Sequence, residues 1–178
     1  METSGNDDDD IHASNEKMLH PLYGKWVLWA HLPHDTDWSI NSYKKIMTFC
    51  YAEDILMLYA QLPDILVKNC MLFLMREGIN PIWEDKKNRG GGCFSYKISN
   101  KNVSNVWKEL SYILSGETIS NDHKFGQNVN GITISPKKAF CIIKIWMSNC
   151  QYQDPQKIRT LTNLQPQGCL FKKHKPEY

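Results

Sequence analysis

The chain has 178 residues, of which 42% are hydrophobic and 22% are charged. These ordinary values exclude a mostly disordered polymer and a collagen-like chain, and the length predicts one globular domain with its own core. No apolar run approaches the ~20 residues of a membrane helix, and the N-terminus is acidic where a secretory signal is basic and then apolar. We therefore expect no membrane segment. We expect the protein in the cytoplasm or the nucleus, and of these we predict the cytoplasm.

The net charge of +2 conceals an asymmetry along the chain. Residues 1–18 contain six acidic residues and one lysine, a balance of −5, so the remainder carries +7. We expect residues 1–18 to form a disordered acidic N-terminal tail and residues 19–178 to form the folded domain. A basic domain has an electrostatic reason to meet phosphates, although a solvated basic surface without that purpose fits the charge equally well.

The six cysteines are scattered and lack the C-x-x-C or Cys/His spacing of a metal site. We expect reduced, mostly buried thiols, with neither a disulfide nor zinc.

Seven segments have the character of β-strands. The residues from Trp26 to His31 alternate between two faces, which predicts a first strand over residues 25–32. Six further β-rich segments follow, separated mostly by Gly, Asn, Pro and Asp. They are YKKIMTFC, CMLFLMRE, CFSYKIS, VNGITIS, AFCIIKIWM and GCLFKK. Together they predict a mainly antiparallel sheet.

Three segments have the spacing of an amphipathic helix. They are residues 52–62, 103–114 and 154–164, the last with Asp154 as a candidate N-cap before Pro155. Because their apolar residues are one-sided, we expect the helices on one face of the sheet. This predicts an α+β layer fold whose other sheet face is open.

Two of the six tryptophans stand apart from the rest. Trp107, Trp26 and Trp29 favour core packing, since they lie on an apolar helix face and in the first strand. Trp38 and Trp83 instead lie in the polar loop sequences PHDTDWSINS and NPIWEDKKN. Two exposed indoles can hold a planar ring between them, and a positively charged ring gains cation–π attraction.

Glu84 follows Trp83 directly and supplies a carboxylate that only accepts hydrogen bonds. Guanine presents two parallel donors, N1–H and its exocyclic amino group, which match the two carboxylate oxygens. Adenine lacks this pair and would leave a buried acceptor unsatisfied, a loss of roughly 1–3 kcal/mol. A carboxylate also helps to neutralise an N7-methylated, cationic guanine. These residues therefore outline a methylguanine site.

The chain resembles the eukaryotic translation initiation factor 4E family of mRNA cap-binding proteins from about residue 20 to residue 173. The resemblance rests on several motifs in order, of which PIWEDKKN is the most specific. The others are HPL followed by KWVLW, DW, AEDILMLY, GINPIWEDKKNRGG, a helix with VW closed by SGE, and IKIW.

This resemblance implies a cupped sheet of about eight strands with three helices on its convex back and the cap on the concave face. It implies that Trp38 and Trp83 stack on the two sides of 7-methylguanine. Glu84 would accept from the guanine edge, and Trp146 would lie against the N7-methyl group. It also implies recognition of capped mRNA without catalysis and without a cofactor.

The resemblance is weaker at the triphosphate. Lys137 stands where the family usually has an arginine, Ile142 where it has a lysine, and Cys93 where a further arginine is common. We expect the phosphates to be held instead by Lys137, Lys138 and Lys144, or by lysines near the C-terminus. Those last are Lys172, Lys173 and Lys175. Lysine offers a point charge where arginine offers a fork, so phosphate binding is expected to be less strict in geometry.

The convex back also departs from the family. The resemblance implies that the convex back binds a scaffold protein of the initiation-factor 4G type or a repressor of the 4E-binding type. The surface consists of His20, Pro21, Leu22, Ala52, Leu56, Lys108, Glu109 and Tyr112. Leu56 replaces the docking tryptophan, and Lys108 and Tyr112 replace leucines. Aromatic anchors often dominate interface energies, so we expect the usual partners to bind this surface weakly or differently, or a dedicated partner to bind it instead. Apart from such a partner, we expect the chain to be a monomer.

Three alternatives to an initiation factor remain. A cap-binding competitor or translational repressor fits the altered back, and a general single-strand RNA binder fits basic residues interleaved with aromatics. An enzyme is disfavoured, because the sequence has no phosphate-loop spacing, no metal-ligand cluster and no paired catalytic carboxylates. We interpret Gly90–Gly92 as a flexible turn between strands.

Overall fold

The computed structural model describes residues 18–177, so the predicted acidic tail lies outside the described residues except for Met18. All seven predicted strands are present, and the first is longer than expected at its N-terminal end. They are β1 (Pro21–His31), β2 (Tyr43–Tyr51), β3 (Met71–Arg76), β4 (Gly92–Ser99), β5 (Val129–Pro136), β6 (Phe140–Met147) and β7 (Leu170–Lys173).

The strands form one antiparallel sheet in the order β2-β1-β3-β5-β6-β4-β7. The sheet is curved and is not closed into a barrel. This confirms the predicted α+β fold, with seven strands in residues 18–177 where the resemblance implied about eight.

Four α-helices occur within the described residues. They are α1 (Ala52–Gln61), α2 (Asp64–Asn69), α3 (Val103–Ser115) and α4 (His123–Gln127). The first and third correspond to the first two predicted helices, and their apolar sides pack on the same core through Ile55 and Trp107. No helix in residues 18–177 has both the length and the apolar character needed to span a membrane.

The third predicted helix, residues 154–164, is wrong. Asp154 does accept a hydrogen bond from the backbone N–H of Gln156 (2.9 Å), but only a 3₁₀ turn at Pro155–Lys157 forms. The following segment contains two threonines and an asparagine, which are poor helix formers. Ile158 is buried in the core, and the Arg159 N–H donates to the carbonyl of Ile119 (2.8 Å), so tertiary contacts hold these residues out of a helix. Leu161 and Leu164 then pair with each other across a turn.

Side-chain alternation gives the sheet two different faces. On β4, Phe94, Tyr96 and Ile98 belong to the core beneath the helices, which we call the helix face. Cys93 belongs to a separate cluster on the opposite side, which we call the open face. That second cluster contains Phe73, Met75, Ile79, Cys93 and Trp146, with Trp29, Tyr43, Met71 and Trp83 packed against it. The open face therefore has an aromatic floor.

Gly90–Gly92 differ from the flexible turn that the sequence suggested. Gly92 is already the first residue of β4, and none of the three has a positive φ. A Cβ on Gly91 would clash with the backbone carbonyl of Met147, whereas one on Gly90 would have no contact closer than 3.9 Å. Close approach of two backbones, and not turn flexibility, requires glycine at position 91.

This difference predicts that Gly91→Ala destabilises the protein by roughly 1–3 kcal/mol, because a rigid backbone atom must move. Gly90→Ala is the matched control and should stay within about 0.5 kcal/mol. Urea unfolding monitored by tryptophan fluorescence measures both. Equal stability of the two variants would contradict the assigned packing.

Candidate functional site

A cavity of about 410 Å³ opens on the open face, opposite the helices. Its walls come from two loops and its floor from the central strands. The lining residues are Trp38, Tyr43, Met71, Phe73, Pro81, Ile82, Trp83, Glu84, Thr133, Ser135, Lys137, Lys144, Trp146 and Glu177. The structure thus brings together Trp38, Trp83, Glu84 and Trp146, the four residues predicted to hold a methylated base.

Trp38 lies in the loop between β1 and β2 and is 55% exposed. Its indole stacks on the imidazole of His31, with ring centroids 4.3 Å apart and planes 2° from parallel. His31 is buried and is fixed by a hydrogen bond between its Nε2 and the carbonyl of Asp37 (2.8 Å). The indole is therefore held in place by a ring at the end of β1.

Trp83 lies in the loop that follows β3, and hydrogen bonds from Asp85 and Asn88 fix this loop. Asp85 accepts hydrogen bonds from the backbone N–H groups of Asn80 (2.9 Å) and Lys87 (2.8 Å) and so stabilises the turn. The fully buried side chain of Asn88 donates to the carbonyls of Asn80 (2.8 Å) and Ile82 (2.9 Å). These bonds span the residues on both sides of Trp83.

His174 supports Trp83 from the C-terminal segment. The two rings stack with centroids 5.6 Å apart and planes at 14°, and His174 also lies 5.0 Å from the ring of Trp146. Its Nδ1 is 2.6 Å from the carbonyl of Asn88 and its Nε2 is 2.9 Å from the Cys93 Sγ. Because a carbonyl only accepts, Nδ1 carries the hydrogen and Nε2 accepts from the thiol.

Burial keeps the His174 imidazole and the Cys93 thiol uncharged. Desolvation lowers the pKa of His174 and raises the pKa of the Cys93 thiol to about 12. Both side chains are therefore neutral near pH 7. Cys93 is buried beside His174 and offers no charge to a ligand.

Glu84 and Tyr43 contribute the acceptor and a hydroxyl. Burial, reinforced by the charges of Glu84 and Asp37, raises the pKa of Tyr43 to about 12, so its phenol stays protonated. The backbone N–H of Glu177 donates to Glu84 Oε1 (3.2 Å). The chain itself thus shows that this carboxylate accepts an N–H donor at the mouth of the cavity.

Two of the three lysines predicted for phosphate binding line the cavity, Lys137 and Lys144. The Nζ of Lys144 lies 5.9 Å from the centre of the Trp83 ring. Lys138 is exposed in the turn between β5 and β6 and is not part of the lining. Positive charge therefore lies at the β5–β6 side of the indoles.

Sequence reasoning missed several lining residues. Thr133 and Ser135 are buried on the open face of β5, and Thr133 Oγ1 has no hydrogen-bond partner in the described part of the chain. Because Thr133 and Ser135 alternate with Ile132 and Ile134 along β5, the sequence pattern could have placed them on the open face. The role of Glu177 had no such signal, since it lies 93 residues from Glu84.

The predicted partner surface is assembled on the helix side. Both the Nδ1 and the backbone N–H of His20 contact the Glu53 carboxylate (2.6 and 3.1 Å), which ties the chain before β1 to α1. Leu56 is 56% exposed, and Met57 beside it is 54% exposed. On α3, Lys108 and Glu109 are exposed, while the half-buried Tyr112 packs edge-on against Tyr59.

Within residues 18–177 no group of three or more His, Cys, Asp or Glu side chains is arranged to hold a metal ion. All six cysteines are free.

The cavity thus combines an aromatic floor, two loop indoles, a carboxylate and two lysines, a chemistry that suits a planar ligand with an anionic extension. Residues 21–176 match the family described as "Eukaryotic initiation factor 4E". The chain belongs to this family, whose members are cap-binding factors and not enzymes.

Two relatives indicate the distance of the relationship. Eukaryotic translation initiation factor 4E of Candida albicans is 30% identical over 152 residues, with 80% of this chain and 69% of the relative covered. Eukaryotic translation initiation factor NCBP of Triticum aestivum is 31% identical over 148 residues, covering 80% of this chain and 61% of the relative. The chain thus spans 61–69% of these relatives.

Solved structures agree in fold. A Caenorhabditis elegans eIF4E-3 in complex with the 4E-binding protein Mextli and a cap analog has a TM-score of 0.68 at 24% identity, covering 77% of this chain and 79% of its own. An Ascaris suum eIF4E-3 in complex with an m7G cap has a TM-score of 0.66 at 24% identity, covering 75% and 76%.

The Asn88 contacts predict a stability effect. Asn88→Ala removes the donors to two loop carbonyls and the acceptor for Asn130 Nδ2 (2.9 Å), and should cost about 2–3 kcal/mol. Asn105→Ala, at an exposed position of α3, should change stability by less than about 0.5 kcal/mol. Thermal unfolding checks both variants. An unchanged Tm for Asn88→Ala would contradict the role of this side chain.

Proposed function

We propose that this protein binds the 7-methylguanosine cap of mRNA and acts in translation initiation in the cytoplasm. The observation that carries the proposal is the convergence of Trp38, Trp83 and Glu84 on one cavity that also contains lysines. Family membership supports it, as do the relatives whose structures were determined with cap ligands.

The two indoles would stack on opposite sides of the methylated base. Each is supported by a histidine, His31 behind Trp38 and His174 behind Trp83. Since His174 is neutral near pH 7, it adds no positive charge beside a cationic ring. The stacking then combines apolar burial with cation–π attraction.

Glu84 would accept from N1–H and the amino group of guanine, in competition with the Glu177 N–H that it now accepts. Trp146 would lie against the N7-methyl group from the floor of the cavity. Lys137 and Lys144, which line the cavity, would bind phosphate oxygens, and Lys138, which follows Lys137, would add a third ammonium group. The neutral phenol of Tyr43 provides a further hydroxyl at the wall.

Fluorescence titration of the full chain tests this function. We expect 7-methyl-GTP to quench tryptophan fluorescence with at least tenfold higher affinity than GTP, because only the methylated base is cationic. Trp83→Ala should abolish most of that preference. Equal affinities of the wild-type protein for the two nucleotides would refute cap recognition.

The same titration separates Glu84 from its neighbours. Glu84→Gln places an amide against the guanine donors and removes a charge, so 7-methyl-GTP affinity should fall roughly 10- to 100-fold. Glu77→Gln removes an exposed carboxylate after β3 and serves as the control. Comparable losses in both variants would show that net charge, and not base-edge recognition, is responsible.

The helix side supports a second element of the proposal, a protein partner. The complexes with Mextli and, for a schistosome eIF4E, with 4E-BP show that relatives of this fold bind such proteins. Here we propose a scaffold or repressor partner docking at Leu56, with His20, Pro21, Leu22, Ala52, Lys108, Glu109 and Tyr112 around it. The exposure of Leu56 and Met57 offers an apolar contact without an indole.

That difference keeps a cap-binding competitor as the alternative function. An initiation factor must hold a scaffold and the cap together, whereas a competitor needs only the cap site. Addition of the protein to a cap-dependent translation extract distinguishes the two. Stimulation that requires Leu56 favours the initiation factor, and inhibition that requires Glu84 but not Leu56 favours the competitor.

Leu56→Asp should weaken binding of a 4E-binding-type peptide by at least tenfold while leaving 7-methyl-GTP affinity unchanged, because the two sites lie on opposite faces of the sheet. Leu170→Asp is the control, since Leu170 is also exposed (60%) but lies on the edge strand β7. Isothermal titration with the peptide measures the effect. Full peptide affinity in Leu56→Asp would place the partner elsewhere.

A further inference from the structure

Lys97 lies on the open face of the sheet, on β4, next to the strand β6 that carries Lys144 of the cavity. On β4 the side chains of Phe94, Tyr96 and Ile98 enter the helix-face core, so those of Cys93, Ser95 and Lys97 point to the opposite side. Lys97 itself is exposed. It is therefore a solvated cation on the same face as the proposed cap site.

The position of Lys97 is defined by its partner across the strand pair. Lys97 is directly opposite Ile142 of β6, which in turn is opposite Ser135 of β5. Side chains of directly opposite residues are about 5 Å apart at Cβ. The row Ser135, Ile142, Lys97 thus crosses three strands of the open face.

Two more lysines complete the surroundings of Ile142. Lys144 is two residues further along β6 on the same face, and Lys137 begins the turn to β6, where its N–H donates to the carbonyl of Phe140 (2.8 Å). The Nζ of Lys97 lies 4.3 Å from the centre of the Phe140 ring, at this same end of β6. Ile142 therefore lies on the open face between Ser135 and Lys97, with Lys144 two residues further along the same strand and Lys137 at the turn before it.

Neither Lys97 nor the two cavity lysines is in an ion pair within residues 18–177. The contact that Lys97 does make is a cation–π contact at an exposed site, which is weaker than a charge-assisted hydrogen bond to phosphate. A phosphate near Ile142 would therefore draw the Lys97 ammonium away from Phe140.

We propose that Lys97 binds the phosphate chain of the ligand, together with Lys137, Lys144 and the Ser135 hydroxyl, above Ile142. This inference rests on the proposed function, because it takes the phosphate chain to extend from a base held between Trp38 and Trp83. In this arrangement the ammonium group comes from β4, from the residue directly opposite Ile142 of β6.

Lys97→Met tests the proposal, since methionine keeps an unbranched apolar chain against Phe140 and removes only the charge. Affinity is measured with full-length protein for 7-methylguanosine, 7-methyl-GMP, 7-methyl-GDP, 7-methyl-GTP and GTP. We expect the variant to bind 7-methyl-GTP about tenfold more weakly and the phosphate-free nucleoside as the wild type does. Lys124→Met, on α4 at the helix face, makes the same change of charge and should have no effect.

A reciprocal variant tests the geometry. Lys97→Met combined with Ile142→Lys moves the ammonium across the strand pair and should restore most of the 7-methyl-GTP affinity, while Lys97→Arg should retain it. Unchanged 7-methyl-GTP affinity in Lys97→Met would overturn the proposal. An equal loss for nucleoside and triphosphate would also overturn it, because the side chain would then act on the base pocket.

The outcomes separate this inference from cap recognition. If wild-type protein binds GTP and 7-methyl-GTP equally, while Lys97→Met weakens both, Lys97 is a phosphate ligand but the cap proposal fails. If the wild type prefers 7-methyl-GTP and Lys97→Met matches it for every nucleotide, cap recognition holds and the role of Lys97 is refuted.

Discussion

The alternation of side chains along paired strands is the constraint on which this protein depends. On β4, β5 and β6 one set of positions builds a continuous apolar core under the helices, and the other set builds the open face with its hydroxyls, lysines and Trp146. A slip of one residue in any of these strands would exchange the two sets. The register is therefore a requirement of both stability and ligand recognition, and the close backbone approach at Gly91 helps to fix it.

The sheet supplies the floor of the site, but the two indoles are held by different means. Trp38 is exposed on its loop and depends on stacking with His31, which is anchored in β1. Trp83 depends on the buried amide of Asn88 and on His174 behind it. The second arrangement contains more buried hydrogen bonds, so we expect Trp83 to be the more rigid wall and Trp38 the one that adjusts to a ligand.

Features encoded in local sequence were predictable, and features made by distant contacts were not. The first strand and two helices followed from the periodicity of their apolar residues, and the other six strands from β-rich composition between turn-forming residues. The segment 154–164 has a helix start at Asp154 and Pro155, but contacts of Ile158 and Arg159 with the rest of the fold prevent the helix from continuing. The pairing of His174 with Cys93 joins residues 81 positions apart, and no spacing rule indicates it.

The candidate site shows the same division. The motif around Trp83 and Glu84 predicts a methylguanine ligand, because stacking and base-edge donors require particular residue types at neighbouring positions. Phosphate binding places a weaker constraint on residue types at particular positions, since a lysine on any adjacent strand can bring an ammonium group to the same point. Where the resemblance implies a lysine, this chain has the uncharged Ile142. In the sheet, however, Lys97 lies directly opposite Ile142 on the neighbouring strand. This chain is about 30% identical to its relatives. At that distance, the positive charges that face a ligand are better identified from their positions on the folded surface than from aligned positions in the sequence.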